Sequence, residues 1–201
     1  MGALKDLRFY VSGVALIDAA GNYAPVVMTE NASQGGNVAL LDFEDGTNTC
    51  VGGTAGTYTA VTGKVAPGSY VGIAFTVGVP GKLNHSNIAD VATPLPLQNS
   101  ALNWSWQSGR KFTKIEFTAN PVAPTAGVTT MVHLGATGCK ANPLNGEVIN
   151  GCGSPNRMQL SFASFNPTTQ KIALDLGALF NGVDLTTSKT WMSAKPGGMM
   201  M

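Results

Sequence analysis

Short runs in which every second residue is apolar recur along this chain, and each is closed by glycine, proline, asparagine or aspartate. That alternation admits strands and little else. In Tyr70–Val77 the residues Val71, Ile73, Phe75 and Val77 share one face, as a core strand requires. Comparable runs cover 7–11, 37–43, 58–65, 111–117, 128–134, 157–162 and 171–176, with turn residues at 19–22, 44–46 and 66–68. About nine strands with turns at short spacing predict an all-β chain, an antiparallel β-sandwich or barrel with long loops. At most one short helix is expected, at 175–180. The 201 residues read as a single β domain, 1–201, with a core from 4 to 185 and a C-terminal tail at 186–201.

Charge excludes one class of partner. Only 11% of residues are charged, against about 25% in an average soluble domain. Net charge is +1 with Lys and Arg scattered, so no basic face is available to hold a phosphate backbone, and nucleic acid is not an expected partner. No apolar run approaches the roughly 20 residues of a membrane helix. The chain opens MGALKDLRF, without the basic and apolar regions of a signal peptide. Composition nevertheless favours a mature domain from outside the cytoplasm, with Met1-Gly2 as an addition, over a cytosolic protein. The chain is rich in Thr, Asn, Ser and Gly, and it carries Cys139 and Cys152 inside a Gly/Asn/Pro-rich loop. Such a pair reads as a disulfide, which persists in an oxidising compartment, so a periplasmic, secreted or cell-surface location is expected. Cys50 is then left free.

Three stretches are too long for hairpin turns: 78–107, 119–127 and 137–155. Long loops on a β scaffold are where function concentrates, and here they adjoin both histidines. His85 follows the 70–77 strand, and His133 lies in Val128–Leu134, sharing a face with Met131. Two imidazoles from separate elements with a thioether nearby suit a soft metal such as Cu(I). On ligand chemistry alone, two lone histidines are more often hydrogen-bonded or surface residues than ligands. The catalytic inventory is thin. No G-x-S-x-G, P-loop, G-x-G-x-x-G or H-E-x-x-H motif is present, so no enzyme activity is expected. Asp42, Glu44 and Asp45 are rich in hard oxygen but lack the EF-hand spacing, so a solvated turn is the reading preferred over Ca²⁺. Trp104 and Trp106 read as ordinary packing. Their stacking on sugars, in a carbohydrate-binding or adhesive module without metal, is the competing function.

Several motifs together resemble the MbnP-like family, the four-cysteine-motif copper-binding proteins that include CorA and MopE of methanotrophs. They are Leu40-Leu41-Asp42-Phe43-Glu44-Asp45-Gly46 leading to Cys50, Phe75-Thr76-Val77-Gly78-Val79-Pro80 and Leu83-Asn84-His85. Trp104-Ser105-Trp106-Gln107-Ser108-Gly109-Arg110-Lys111-Phe112 and Val132-His133-Leu134-Gly135-Ala136-Thr137-Gly138-Cys139 follow in the family's order. Cys152, Pro155-Asn156-Arg157 and Ile172-Ala173-Leu174-Asp175-Leu176 extend the match over most of the chain. The resemblance implies an extracytoplasmic β protein of copper acquisition or storage that binds one copper ion, Cu(I) favoured, with His85 and His133 on the motifs that supply ligands. It also implies a tryptophan oxidised to kynurenine by a dihaem peroxidase-like partner protein, which makes the chain a substrate and metal carrier. Two departures bear on that modification. Trp191-Met192-Ser193 stands where the family has a Cys-Met-Ser-like stretch, and Leu83 stands two residues before His85 where a MopE-like chain has tryptophan. The expected kynurenine is therefore Trp191, placed near the two histidines.

Overall fold

The computed structural model describes residues 2–50, 52–105, 108–119, 128–141, 147–149, 151–185 and 190–192. The chain opens with a long strand, β1 (Ala3–Asp18), followed by β2 (Tyr23–Pro25), β3 (Val27–Met28), β4 (Gln34–Gly35) and β5 (Val38–Asp42). Next come β6 (Gly63–Lys64), β7 (Tyr70–Val77), a single helical turn α1 (Gly81–Asn84), β8 (Asn103–Ser105) and β9 (Gly109–Arg110). The last third holds β10 (Thr113–Ala119), β11 (Val128–Leu134), β12 (Thr137–Cys139), β13 (Cys152–Ser154), β14 (Met158–Phe162), α2 (Leu176–Leu179) and β15 (Thr190–Met192).

β1 organises everything else. Arg8 pairs with both β10 and β5, and Val11 with both β5 and β7. β10 and β7 therefore follow one another along one edge of β1, and β5 and β2 along the other. At the junction Tyr10 donates its N–H to Phe112 O and accepts from Gly78 N, both at 2.8 Å. Gly13 stands just beyond at φ +60, where the register with β7 shifts between Ser12 and Ala15. A residue without Cβ adopts that left-handed turn at little cost, and the bulge redirects the strand. The largest sheet runs β14-β7-β1-β10-β11-β15, antiparallel except for the parallel β11–β15 pair. It ends on β14 and β15 without closing, so the all-β architecture is a sandwich and not a barrel.

Both faces of β1 are covered, which explains its near-continuous burial. On one side Val11, Val14, Met28 and Ala39 form a core with Phe9, Ile73 and Phe75 packed against it. On the other, Tyr10, Val38, Leu40, Val79, Leu97, Leu102, Phe112 and Ala136 form a second core, against which Leu83 and the cysteines at 139 and 152 pack. The second core lies beneath the 78–107 loop. Tyr10 ties that loop down by donating its hydroxyl to Pro96 O at 2.9 Å.

Two expected strands are shorter or absent. The run 58–65 reaches β5 at one bridge, Tyr58 to Asp42, because β4 and Ser33 already occupy the outer edge of β5 as far as Leu40. Only Gly63–Lys64 pairs further, with β3. The run 171–176 forms no strand. Ile172 and Leu174 stay 43% and 49% exposed, and Asp175 starts α2 by accepting from Ala178 N at 3.0 Å. Val71, expected on a core face, is 45% exposed at the start of β7. Thr190–Met192, within the stretch read as a tail, is the strand β15.

Candidate metal centre

His133 stands on β11 directly opposite Lys114, and Lys114 stands directly opposite Arg8 of β1. Directly opposed residues share a sheet face, so Asp6, Arg8, Lys114, Glu116 and His133 fall on one side. They are linked in an unbroken chain. Glu44 Oε1 lies 3.3 Å from Arg8 Nη1, and the Arg8 guanidinium donates to both oxygens of Asp6. Lys114 Nζ reaches Asp6 Oδ2 at 2.5 Å and Glu116 Oε1 at 3.3 Å, and Glu116 Oε1 lies 2.8 Å from His133 Nε2. Arg8 and Glu44 are almost fully buried, at 0% and 1% exposure. Buried charges are tolerated only when each is paired in this way. Burial alone would lower the Arg8 guanidinium, but Asp6, Glu44 and Asp42 hold it above its ordinary value.

The Glu116 carboxyl is held at about 2. The cause is first the hydrogen bond from His133, which outweighs burial, and then the charge of Lys114. An ionised carboxylate only accepts, so His133 must donate from Nε2. The other ring nitrogen has no such engagement. His133 is 4% exposed, and its Nδ1 has no hydrogen-bond partner among the described residues. Asn103 Oδ1 and the hydroxyls of Thr113 and Thr130 share that condition. Of these, only the imidazole nitrogen is a strong ligand for a transition metal.

His85 is set by a different device. It caps α1, and its Nε2 lies 2.9 Å from Asn84 Nδ2 and 3.7 Å from Cys152 Sγ. Asn84 cannot turn, because its Oδ1 accepts from Arg110 N at 2.9 Å. Its amide therefore donates to His85 Nε2, which is the acceptor nitrogen of that ring. Arg110, 1% exposed, clamps the segment from beneath. Its guanidinium donates to the carbonyls of Leu83 (2.6 Å), Asn84 (2.7 Å), Ser86 (3.0 Å) and Leu97 (2.9 and 3.1 Å). Gly109 makes room for this at φ +81, where a Cβ would lie 2.5 Å from Asn84 Nδ2. Neither Arg110 nor Glu116 stands out in the sequence as part of a site. Arg110 lies within a matched motif without an assigned role, and the only mark on Glu116 is its same-face spacing with Lys114 in an otherwise apolar and Thr-rich strand.

Cys139 and Cys152 are directly opposed across β12 and β13 and form a disulfide. Their sulfurs gather with His85 within 4.8 Å, but a disulfide offers no thiolate, so His85 is the one ligand of that group. His133 is not part of it. A cavity of about 1180 Å³ opens over His85, with Lys82, Phe112, Ala136, Cys152 and Arg157 in its wall. Phe112 and Ala136 connect that wall to the second histidine, since Phe112 N donates to Leu134 O and Ala136 lies three residues beyond His133.

The acidic turn is solvated only in part, since Asp45 is exposed while Asp42 and Glu44 are buried. Glu44 accepts from Gly46 N (2.9 Å), Thr54 N (2.7 Å) and Thr54 Oγ1 (3.2 Å) besides facing Arg8. Asp42 accepts from Glu44 N and Thr54 Oγ1. The Asp42 and Glu44 oxygens weighed for Ca²⁺ are thus committed to N–H, O–H and guanidinium donors. Trp104 is half-buried with its ring against Gly135, and Lys111 Nζ stands 5.9 Å over it. Trp106 lies outside the described residues. Backbone register sets Trp191 opposite Val132 and Met192 opposite His133, while the Trp191 side chain lies outside the description. Cys50 is a free thiol with Sγ 3.7 Å from Leu4 O, and burial first, then the nearby acidic groups, push its pKa up. No helix among the described residues is long and apolar enough to cross a membrane.

The comparisons with known proteins agree with this architecture. The structure resembles that of MbnP from Methylosinus trichosporium, with a TM-score of 0.78 and 39% sequence identity over 92% of this chain and 69% of that one. No curated protein matches. The MbnP family model matches residues 2–200, so the chain belongs to the MbnP family.

Proposed function

We propose that this protein binds a single copper ion outside the cytoplasm, as Cu(I), through His85 and His133, and serves copper acquisition or storage as a carrier and not as a catalyst. The observation that carries the reading is His133 Nδ1, a buried nitrogen without a partner among the described residues, on a ring oriented through its other nitrogen by a carboxylate. Metal-ligating histidines characteristically have this arrangement. The donor set fits the cargo, because imidazole suits copper, and neutral rings match the low charge of Cu(I). The two ligands would contribute differently. Uptake at His85 exchanges the Asn84 hydrogen bond for a metal bond, whereas uptake at His133 displaces no hydrogen bond among the described residues. The disulfide supports an oxidising compartment.

The family resemblance adds oxidation of Trp191 to kynurenine by a dihaem peroxidase-like partner. Ring opening would supply an aniline nitrogen and a ketone oxygen that tryptophan lacks. The test of the main reading is an anaerobic Cu(I) titration of the wild type beside His85→Ala and His133→Ala. One equivalent should bind to the wild type and be lost or strongly weakened in both variants. Wild-type affinity in both variants would refute the site.

A further inference from the structure

We propose that Glu116 is a positioning residue for the metal. It locks His133 into the tautomer protonated on Nε2, so that Nδ1 is presented as a bare, desolvated lone pair to a soft monovalent cation. The inference deepens the copper reading and rests on it.

Three observations carry it. First, Glu116 Oε1 lies 2.8 Å from His133 Nε2, and an ionised carboxylate has no proton to give. The hydrogen bond therefore runs one way, and a neutral ring must keep its proton on Nε2. Second, Nδ1 is buried and partnerless among the described residues. A buried acceptor left unmade is destabilising, and a metal ligated there would recover that loss. Third, the carboxylate is itself held. Lys114 grips it at 3.3 Å, and Lys114 is anchored in turn at 2.5 Å to Asp6, whose oxygens also take the buried Arg8. The chain fixes both the position and the direction of the His133 ring from strands β1 and β10, leaving β11 only to carry it. A carboxylate on the far nitrogen also makes the ligating nitrogen a better donor.

A purely structural Glu116 would stabilise the fold without choosing a tautomer, and the experiment separates the two. Long-range ¹H–¹⁵N spectra of metal-free, ¹⁵N-labelled wild type, Glu116→Gln and Glu116→Asp read the protonated nitrogen of His133. Competition with a colorimetric Cu(I) chelator reads affinity in the same samples. The wild type should show His133 protonated on Nε2. In Glu116→Gln the amide can accept from Nε2–H or donate to a bare Nε2, so the ring should redistribute between tautomers. Cu(I) affinity should then fall roughly 10–100-fold, with Glu116→Asp recovering part of both signals.

A wild-type ring protonated on Nδ1 overturns the proposal. So does unchanged Cu(I) affinity in Glu116→Gln, and so does lost affinity with the tautomer unchanged, which would leave the copper reading standing. If the wild type takes up no Cu(I), or His133→Ala binds it equally well, the copper reading fails and the proposal with it. The metal-free spectra report the tautomer independently of that result.

Discussion

Replacing Arg110 by methionine keeps most of the side-chain volume and removes the guanidinium donors that hold the His85 segment, leaving only the backbone N–H to Asn84 Oδ1. Four buried or half-buried carbonyls lose a partner: those of Leu83, Asn84, Ser86 and Leu97, the last of which receives two bonds. Leu83 O keeps the Ser86 hydroxyl at 3.0 Å, whereas each buried carbonyl left without a donor costs about 1–3 kcal/mol. The plain sum overshoots, because Gly81, Lys82 and Asn87 are exposed and water can enter the turn as it loosens. Burial lowers the Arg110 guanidinium, so part of the desolvation cost is also relieved when it is removed. A net loss of about 3–5 kcal/mol is expected, the range for breaking a buried charge-assisted network. Urea unfolding of the metal-free protein measures it. With a slope of about 2–3 kcal/mol/M, the midpoint should fall by about 1–2 M at unchanged slope. Arg110→Lys should lie between, since one ammonium reaches fewer of the carbonyls. A midpoint shift under about 0.3 M for Arg110→Met would mean that the carbonyls find other donors and that the clamp is not what holds His85.

Gly109→Ala should destabilise by about 1–3 kcal/mol, since it forces a side chain into the left-handed region and against Asn84, and thermal unfolding would show it. Glu116 gives the metal-free protein an acid limb. Its carboxyl drops from an ordinary 4.5 to about 2 in the fold, so its contribution is complete above about pH 4.5 and is lost as pH falls toward 2. That contribution is at most ~3 kcal/mol, and Glu116→Gln should flatten the acid side of the stability profile. An unchanged acid limb in that variant would remove Glu116 as its source. Protein exposed to the oxidising partner should carry the mass change of indole ring opening on the Trp191 peptide. Finding it on the 104–106 peptide instead would reassign the kynurenine.

Strand periodicity made the all-β class legible, because side chains alternating across a pleat leave a record in the sequence itself. Tyr70–Val77 and Val128–Leu134 have in the structure the bounds that their alternation implies. Pairing was not legible. The run 171–176 alternates as well as any other, yet it forms no strand, since a strand exists only where a free edge meets it. The histidines were visible as candidates because the chain has only two. Their partners were not. Glu116 reaches His133 only because the β10–β11 register sets Lys114 opposite His133, and a slip of one residue would turn Glu116 to the other face. Asn84 and Arg110 are 26 residues apart and meet only because the 78–107 loop folds back over the second core. Local sequence therefore determined which residues can form strands and which can bind a soft metal. Long-range register and loop closure, which depend on contacts between distant segments, decided which nitrogen of His133 a carboxylate holds and which nitrogen of His85 accepts from Asn84.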